Sequence, residues 1–316
     1  MDSEESVVRQ PAAEDSSRPE KDAEKRRTLK LEICFDGLPF SGWQVQPSQP
    51  DTRTVQGEIE NAVRAVTGEP SVVLGSGRTD AGVSALRQVA TFRTRSHIPA
   101  EKLLLALNAN LPPEIRILSA ADVPSGFHPI ADVVRKRYRY LLSDARPPFP
   151  FLKDRVWFVR QRLDFSRMRE AARFLVGTHD FASFQTVGSP RSTSVRTIYA
   201  VDLARHAVPT IWAQRRKEGV AEPEMISVEV EADGFLYNMV RAIVGTLAHF
   251  GSCHRGFEDP VRMRQIIESK SRDCAGPTAP AHGLYMLEAV YSHSDAGDVP
   301  DSGESLFPQG RSCAES

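Results

Sequence analysis

The sequence lacks the features that would attach it to a membrane or send it through one. No apolar run approaches the roughly 20 residues that a bilayer-crossing helix needs, so we expect no membrane partner. The first 27 residues contain no apolar segment typical of a signal peptide, and they are too acidic for an organelle transit peptide. The expected location is therefore the cytoplasm, with the nucleus or an organelle left open.

Metal and nucleotide signatures are also missing. No P-loop occurs, and Gly75-Ser76-Gly77 is followed by Arg-Thr-Asp, so it is not a dinucleotide-binding fingerprint. The few cysteines show no metal-ligand spacing and are predicted to be reduced thiols; they are Cys34, Cys253, Cys274 and Cys313. These absences favour a chemistry that uses a carboxylate and neither a metal nor a cofactor.

Strand and helix patterns alternate along the middle of the chain. Leu29–Phe35 alternates apolar with polar residues, which predicts a half-buried strand. Apolar residues from Val55 to Val66 follow helical spacing. In the second half, the strand pattern of Ile226–Ala232 leads into a helical pattern from Leu236 to Leu247. Strands mixed with helices in this way predict an α+β protein.

Composition divides the chain into four parts. Residues 1–27 and 293–316 are polar and carry net charges of −2 and −4, so we predict that both are disordered tails, the second acidic. Between them we predict an N-terminal α+β lobe over residues 28–124 and a C-terminal α+β lobe over residues 125–292. This central part carries +5 against −1 for the whole chain, a balance that permits a nucleic-acid partner without requiring one.

The most informative segment is Gly77–Val83, with the sequence GRTDAGV. The apolar run Val72–Leu74 before it predicts a buried strand leading into a glycine-rich loop. In such a segment Arg78 and Asp80 would point to the same face, where the guanidinium could keep the carboxylate ionised. An ionised carboxylate can act as a nucleophile or base. The spacing alone favours the alternative, a structural Arg–Asp pair in a surface turn.

Three other segments combine charge with aromatic or apolar side chains. Arg135–Tyr140 could bind phosphates and stack on a base, or it could be a strand with a buried aromatic face and a solvated basic face. Arg241, in the first turns of an apolar helix, could reach a carboxylate or could be an ordinary surface arginine. Gly42–Gln46 could line a groove or cap the core.

Taken in order, these segments resemble the TruA family of tRNA pseudouridine synthases, from about Leu29 to Tyr291. One short motif could arise by chance, whereas eight collinear ones do not. The matching segments are Phe35–Gly37 with Gly42–Gln44, Gly77–Val83 with Gln88-Val89, Leu107–Pro112, Phe127-His128, Lys136–Tyr140, Asp180–Phe184, Gly234–Arg241 and Ala281–Tyr285.

The resemblance implies a pseudouridine synthase fold. Two related α+β lobes would join their sheets into one long mixed or antiparallel sheet, with flanking helices and a basic central cleft. It also implies that uridine in RNA is isomerised to pseudouridine without a cofactor or a metal. The substrate would be tRNA, modified on the 3′ side of the anticodon stem-loop at tRNA positions 38–40, and the enzyme would be a homodimer. The alternatives are a non-catalytic RNA-binding module and the same reaction on another RNA.

The same resemblance assigns roles to four side chains. Asp80 would be the catalytic carboxylate, and Arg241 would pair with it and keep it ionised. Arg78 would help to position the flipped nucleotide. Tyr138 would stack on the flipped uracil and assist proton transfer, which would offset the cost of unstacking the base.

Three positions depart from the family's usual pattern. This chain has Ser84 where a histidine is common and Arg87 where a small residue is common. Pro129-Ile130 stands where the Phe-His segment often continues with Ala-Arg, and loss of that arginine would weaken one RNA contact. We expect these differences to leave the reaction unchanged and to affect which RNA positions are accepted.

Overall fold

The structure is a computed structural model that describes residues 26–49, 51–146, 148–186, 193–207 and 224–292. The predicted tails therefore lie outside the described residues, except for Arg26 and Arg27. Strand β1 already begins at Arg27, two residues before the strand that the sequence pattern predicts.

The described α+β structure contains one mixed sheet of ten strands, together with five α-helices. The strands are β1 Arg27–Phe35, β2 Leu74–Gly75, β3 Ser84–Thr94, β4 Ile115–Val123, β5 Val133–Ser143, β6 Trp157–Phe158, β7 Gly177–Asp180, β8 Val195–Ala207, β9 Glu224–Ala232 and β10 Leu284–Tyr291. The helices are α1 Val55–Thr67, α2 Ala100–Asn110, α3 Phe165–Ala172, α4 Met239–Gly251 and α5 Arg262–Ser269.

Strand β10 lies at the centre of the sheet, whose main order is β4-β1-β3-β10-β5-β9-β8-β7. The strands of the first 124 residues lie on one side of β10, and β5 to β9 lie on the other. Along this order, β10 and β3 pair parallel. All the other neighbours, including β10 and β5, pair antiparallel. The C-terminal strand thus joins the two groups of strands.

One face of the sheet forms the core together with the helices. Alternate side chains of β1 are buried, which gives the strand one apolar face. These side chains are Leu29, Leu31, Ile33 and Phe35. They belong to the same buried cluster as Ile59 of α1, Leu107 of α2 and Ile243 of α4. This arrangement confirms the strand predicted at Leu29–Phe35 and the helix predicted from Val55.

Local signals explain where helix α1 begins and ends. The Thr54 hydroxyl accepts a hydrogen bond from the main-chain nitrogen of Gly57 at 3.2 Å, which caps the first turn. Gly68 ends the helix with a φ of +74°, a left-handed conformation that costs glycine little. Helix α4 has no such side-chain cap, and its stability comes from burial of nearly every residue.

The prediction of a buried strand over Val72–Leu74 is wrong. Val73 is buried, but Val72 is 66% exposed and Leu74 is also exposed. The strand here, β2, contains only Leu74 and Gly75. A run of three apolar residues has no periodicity that could distinguish a buried strand from a segment with outward-facing side chains.

Four strands were not predicted from the sequence: β4, β6, β7 and β8. Along β8 the side chains of Arg196 and Ile198 are buried and the rest are at least partly exposed. Because few of its residues reach the core, the apolar alternation in its sequence is weak. Its place is set by pairing with β7 and β9, which depends on residues distant in the chain.

Candidate active site

The loop that carries Asp80 lies between β2 and β3, and three neighbouring segments hold its main chain. Lys136 of β5 donates a 2.6 Å hydrogen bond from Nζ to the Ser76 carbonyl. Gln88 of β3 donates to the Gly77 carbonyl at 2.7 Å. The main-chain nitrogen of Trp43 donates to the Thr79 carbonyl at 3.0 Å. Anchoring on three sides fixes the residues on either side of Arg78 and Asp80.

The segment after β1 packs so closely under this loop that it needs glycine at two places. A Cβ on Gly37 would lie 2.0 Å from the Val83 carbonyl oxygen. Gly42 has a φ of +96°, and a Cβ there would lie 2.7 Å from the Thr79 carbonyl oxygen. The two glycines therefore let the main chain of this segment touch the main chain of the Asp80 loop.

Asp80 pairs with Arg241 at the start of α4. Arg241 Nη1 lies 3.1 Å from Asp80 Oδ2, and the two side chains are 17% and 32% exposed. The same nitrogen donates to Asn238 Oδ1 at 2.7 Å, and Arg241 Nε donates to the Ala279 carbonyl at 2.8 Å. Because several acceptors hold the guanidinium fork, its orientation toward the carboxylate is fixed.

A cavity of about 510 Å³ opens beside this pair. Three cationic side chains and one carboxylate border it, which gives the cleft a net positive lining; they are Arg78, Lys136, Arg241 and Asp80. Tyr138, Phe235 and Tyr237 add aromatic rings to its wall. A carboxylate beside cations and aromatic rings suits a substrate that combines a phosphate with a planar base.

Tyr138 lies in the wall of this cavity, on the buried face of β5. It is 8% exposed, and its ring packs edge-on against Phe235 with centroids 5.1 Å apart. Two residues along the strand, Tyr140 is fully buried and donates its hydroxyl to the Pro280 carbonyl at 2.7 Å. Burial raises the pKa of Tyr140 well above its usual value, so it stays protonated.

Arg78 borders the cavity but does not hold the Asp80 carboxylate. Its side chain is exposed and has no hydrogen bond or ion pair among residues that the structure describes. The expectation that Arg78 and Asp80 lie in a strand-like segment and pair with each other is therefore wrong. The residues after Gly75 leave strand geometry, and the carboxylate meets Arg241, 161 residues away, instead.

The arginines and the tyrosines of β5 face opposite sides of the sheet. Lys136, Tyr138 and Tyr140 point to the core side, while the arginines between them point away. Arg137 lies 3.0 Å from Glu229, and Arg135 lies 3.1 Å from Glu231. For the arginines of this strand, the alternative of a buried aromatic face and a solvated basic face is thus correct.

Gly42–Gln46 caps the core. Trp43 is buried and packs against Phe35 with ring centroids 6.0 Å apart. A Cβ on Gly75 would lie 2.6 Å from the Trp43 ring, so the ring fills the space beside β2. No residue of Gly42–Gln46 borders the cavity among the residues described.

The three unusual positions have different surroundings. The Ser84 hydroxyl accepts a 3.0 Å hydrogen bond from the main-chain nitrogen of Gly37, so it supports the Asp80 loop. Arg87 pairs with Glu32 of β1 at 3.0 Å. Ile130 is 50% exposed and borders the cavity, which places an apolar side chain there. Of the three, Ile130 has direct access to a bound substrate.

Two residues of the site, Lys136 and Asn238, have no individual role that the sequence predicts. Lys136 shares the alternation of Tyr138 and Tyr140, so period-2 analysis of β5 could have placed it on the core side. Asn238 adopts a φ of +61°, a conformation in which asparagine is enriched among non-glycine residues. That preference is too weak to identify the position from the sequence.

Comparison with known proteins assigns this site to a family. The family model described as tRNA pseudouridine synthase matches residues 33–130 and 171–292. The chain belongs to the tRNA pseudouridine synthase family. This family is an isomerase family, and its substrate is tRNA. The matched segments include Arg78, Asp80 and Arg241, whereas Lys136 and Tyr138 lie between them.

Similar proteins of this tRNA pseudouridine synthase family come from bacteria. A tRNA pseudouridine synthase A of Acetivibrio thermocellus is 43% identical over 266 residues, covering 84% of this chain and 100% of the relative. Proteins of the same description from Thermoanaerobacter sp. and Brevibacillus brevis are 38% and 42% identical, with the same coverage.

Among solved structures, a Cbf5–Nop10–Gar1 complex matches 82% of this chain and 58% of the matched chain, at 10% identity. The TM-score of 0.28 is too low to support a structural argument. In the described part of this pseudouridine synthase, no helix combines the length and apolar character that crossing a bilayer requires.

Proposed function

We propose that this enzyme converts uridine to pseudouridine on the 3′ side of the tRNA anticodon stem-loop, at positions 38–40, with Asp80 as the catalytic carboxylate. The observation that carries the proposal is the position of Asp80. Its carboxylate lines a cavity of about 510 Å³ and lies 3.1 Å from the guanidinium of Arg241. Pockets of this size hold small ligands, so the cavity has room for a single flipped nucleotide.

The reaction is an isomerisation within one nucleotide. The bond between a uracil nitrogen and the ribose breaks, and a uracil carbon bonds to the same ribose carbon. The uracil carbon that forms the new bond loses its proton and the released uracil nitrogen gains one, so atoms and electrons balance without a co-reactant. Asp80 acts through its carboxylate on the ribosyl unit or the base, and Arg241 holds that carboxylate in place with a 3.1 Å hydrogen bond.

The other cavity side chains bind the substrate. Tyr138 stacks on the flipped uracil, and its hydroxyl assists proton transfer. Arg78 contacts the RNA backbone beside the flipped nucleotide, a role supported by its exposed guanidinium, which has no partner within the described ranges. Lys136 and Arg241 add to the positive lining that attracts the polyanion.

Assembly and location belong to the same proposal. The strands on either side of β10 act as two lobes, of residues 28–124 and 125–292, that meet at the cavity. The enzyme works as a homodimer in the cytoplasm. Leu105 of α2 and Phe151 are each 69% exposed, and burial of such side chains between two copies would be favourable. Light scattering of the purified chain tests the dimer by its mass.

The test compares RNA substrates as well as protein variants. Unmodified tRNA with uridines at positions 38–40, the same tRNA with cytidines there, and a hairpin unrelated to tRNA are each incubated with the protein. Pseudouridine is then mapped chemically and RNA binding is measured in parallel. We expect the wild type to modify only the first RNA. Modification of the cytidine-substituted tRNA elsewhere, or of the hairpin, would refute the proposed substrate.

Two isosteric variants identify the catalytic carboxylate. Asp80→Asn keeps the shape of the side chain and removes its charge, and we expect it to bind tRNA with turnover below detection. Asp122→Asn is the matched control, because Asp122 pairs with Arg27 at the sheet surface, away from the cavity lining. Wild-type turnover in Asp80→Asn refutes the role of Asp80. Binding without turnover in the wild type identifies a non-catalytic RNA-binding module.

A further inference from the structure

Asn238 adopts a left-handed conformation at the start of α4. Its φ is +61°, and it is one of four non-glycine residues with positive φ in the described part of the chain. Such a conformation costs free energy for a residue with a Cβ, and glycine adopts it more easily. The asparagine side chain at this position therefore calls for an explanation beyond the shape of the turn.

Both ends of the Asn238 amide have partners. Its Oδ1 accepts a 2.7 Å hydrogen bond from Arg241 Nη1, and its Nδ2 donates at 3.1 Å to the Thr186 hydroxyl. The main-chain nitrogen of Thr186 in turn donates to the Tyr237 carbonyl at 3.2 Å. Thr186 and the turn before α4 thus hold the amide in place from the side opposite Arg241.

The nitrogen that Asn238 holds is the one that meets Asp80. Arg241 Nη1 lies 2.7 Å from Asn238 Oδ1 and 3.1 Å from Asp80 Oδ2. Arg241 Nε donates a hydrogen bond to the Ala279 carbonyl. The hydrogen bonds of Nε and Nη1 together fix the plane of the guanidinium. Without the amide, Arg241 Nη1 would lose one of the two acceptors that hold it in the described structure, and the guanidinium could rotate away from the carboxylate.

We propose that Asn238 is a positioning residue that sets the geometry of the Arg241–Asp80 pair. It does not react with the substrate. Thr186 and the Tyr237–Asn238 turn hold the Asn238 amide in place, and the amide in turn holds the Nη1 atom of Arg241. This inference rests on the proposed function, because it gives Asn238 a role through the catalytic carboxylate.

The chemistry of the amide explains why related side chains are poorer choices. Glycine would suit the left-handed backbone but offers no acceptor to Arg241. Aspartate would place a second carboxylate beside Arg241, where it competes with Asp80 for the same guanidinium. Asparagine combines tolerance of positive φ with a neutral acceptor and a donor.

The first test is Asn238→Gly, because glycine relieves the backbone while deleting the amide. Asp154→Gly is the matched control, since Asp154 is exposed, has a φ of +60° and does not border the cavity. We expect neither variant to lower the melting temperature. We expect Asn238→Gly to reduce kcat by about 10- to 100-fold, the loss typical of a hydrogen bond to a charged group. Binding of tRNA should stay within about threefold of wild type.

The second test is a double-mutant cycle with Arg241→Lys. A lysine cannot present the guanidinium fork, so a residue that acts through this fork has little left to position. We expect Asn238→Gly to lower kcat by less than about threefold in the Arg241→Lys background. The same fractional loss in both backgrounds would show that Asn238 acts independently of Arg241 and would overturn the inference. Thr186→Val should reproduce part of the loss in the wild-type background only.

The outcomes separate this inference from the proposed function. If Asp80→Asn is inactive and Asn238→Gly has wild-type kcat, the positioning role is refuted and the proposed function stands. If Asp80→Asn is active, both are refuted. If Asn238→Gly loses tRNA binding and keeps kcat, Asn238 belongs to substrate binding and the positioning role is refuted.

Discussion

The buried ammonium of Lys136 donates a 2.6 Å hydrogen bond to the main-chain carbonyl oxygen of Ser76. This contact joins β5, next to the central strand of the sheet, to the start of the loop that carries Asp80. It crosses 60 residues of sequence. The position of the carboxylate therefore depends on a side chain that lies two residues from Tyr138 on the same strand.

Replacement of Lys136 by methionine should loosen this loop. The Ser76 carbonyl would lose a buried donor, at a cost of about 1–3 kcal/mol in the free energy of unfolding. Because the loop then holds Asp80 less firmly, kcat should fall as well. Denaturant unfolding and single-turnover kinetics measure the two effects. Arg137→Met is the control, since Arg137 is half-exposed on the opposite face and its ion pairs contribute less than about 1 kcal/mol.

Tyr138 and Tyr140 offer a matched pair of hydroxyl deletions on one face of β5. Tyr138→Phe should retain tRNA binding and lose about 100-fold or more in kcat, if its hydroxyl moves a proton. Tyr140→Phe should retain kcat and lose about 1 kcal/mol of stability, because the Pro280 carbonyl loses its donor. Comparison of kcat and unfolding free energy checks both, and wild-type kcat in Tyr138→Phe would rule out the proton-transfer role.

Gly37→Ala should destabilise the protein strongly, although it adds only one methyl group. The added Cβ would lie 2.0 Å from the Val83 carbonyl oxygen, so the Asp80 loop and the segment after β1 must separate. We expect loss of at least about 2 kcal/mol of stability, as for other overpacked sites. Gly126→Ala is the control, because nothing lies within 4 Å of the added atom. Equal melting temperatures for the two variants would contradict the close approach.

His249 should make the protein less stable in mild acid. Burial, and then the charge of His254 stacked 4.2 Å away, lower the pKa of His249 below its ordinary value of 6.5. The unfolded chain therefore binds more protons below that pH, and stability that is present above it is lost as the pH falls. Between about pH 7.5 and 5.5, the melting temperature of His249→Asn should fall less than that of wild type. Equal decreases would argue against a lowered pKa of the half-buried His249.

The sequence predicted which residues form the carboxylate site better than it predicted which of them contact each other. The resemblance paired Arg241 with Asp80, and the structure places the two 3.1 Å apart. Reasoning from nearby residues favoured Arg78 instead, because two residues of spacing suggest a shared face. That inference failed because the segment is not a strand. Side-chain partners across 161 residues depend on the tertiary fold, which local spacing does not encode.

The sequence pattern predicted β1 and α1 correctly but did not predict β8. Strand β1 and helix α1 have strong periodicity because one side of each is buried. Strand β8 is held mainly by its neighbours, so its sequence shows little alternation. The place of Lys136 follows from alternation along β5, whereas the left-handed conformation of Asn238 does not follow from any pattern in the sequence.

The central position of β10 has a consequence for folding during synthesis on the ribosome. A ribosome releases this strand after almost all other described residues, yet β3 and β5 can meet only across it. Until Leu284–Tyr291 emerges, the nascent chain carries two half-sheets with open edges, and the partners Asp80 and Arg241 belong to different halves. The enzyme thus becomes competent only once Leu284–Tyr291 can join the sheet, and a chain that stops before Leu284 should be inactive and prone to aggregate.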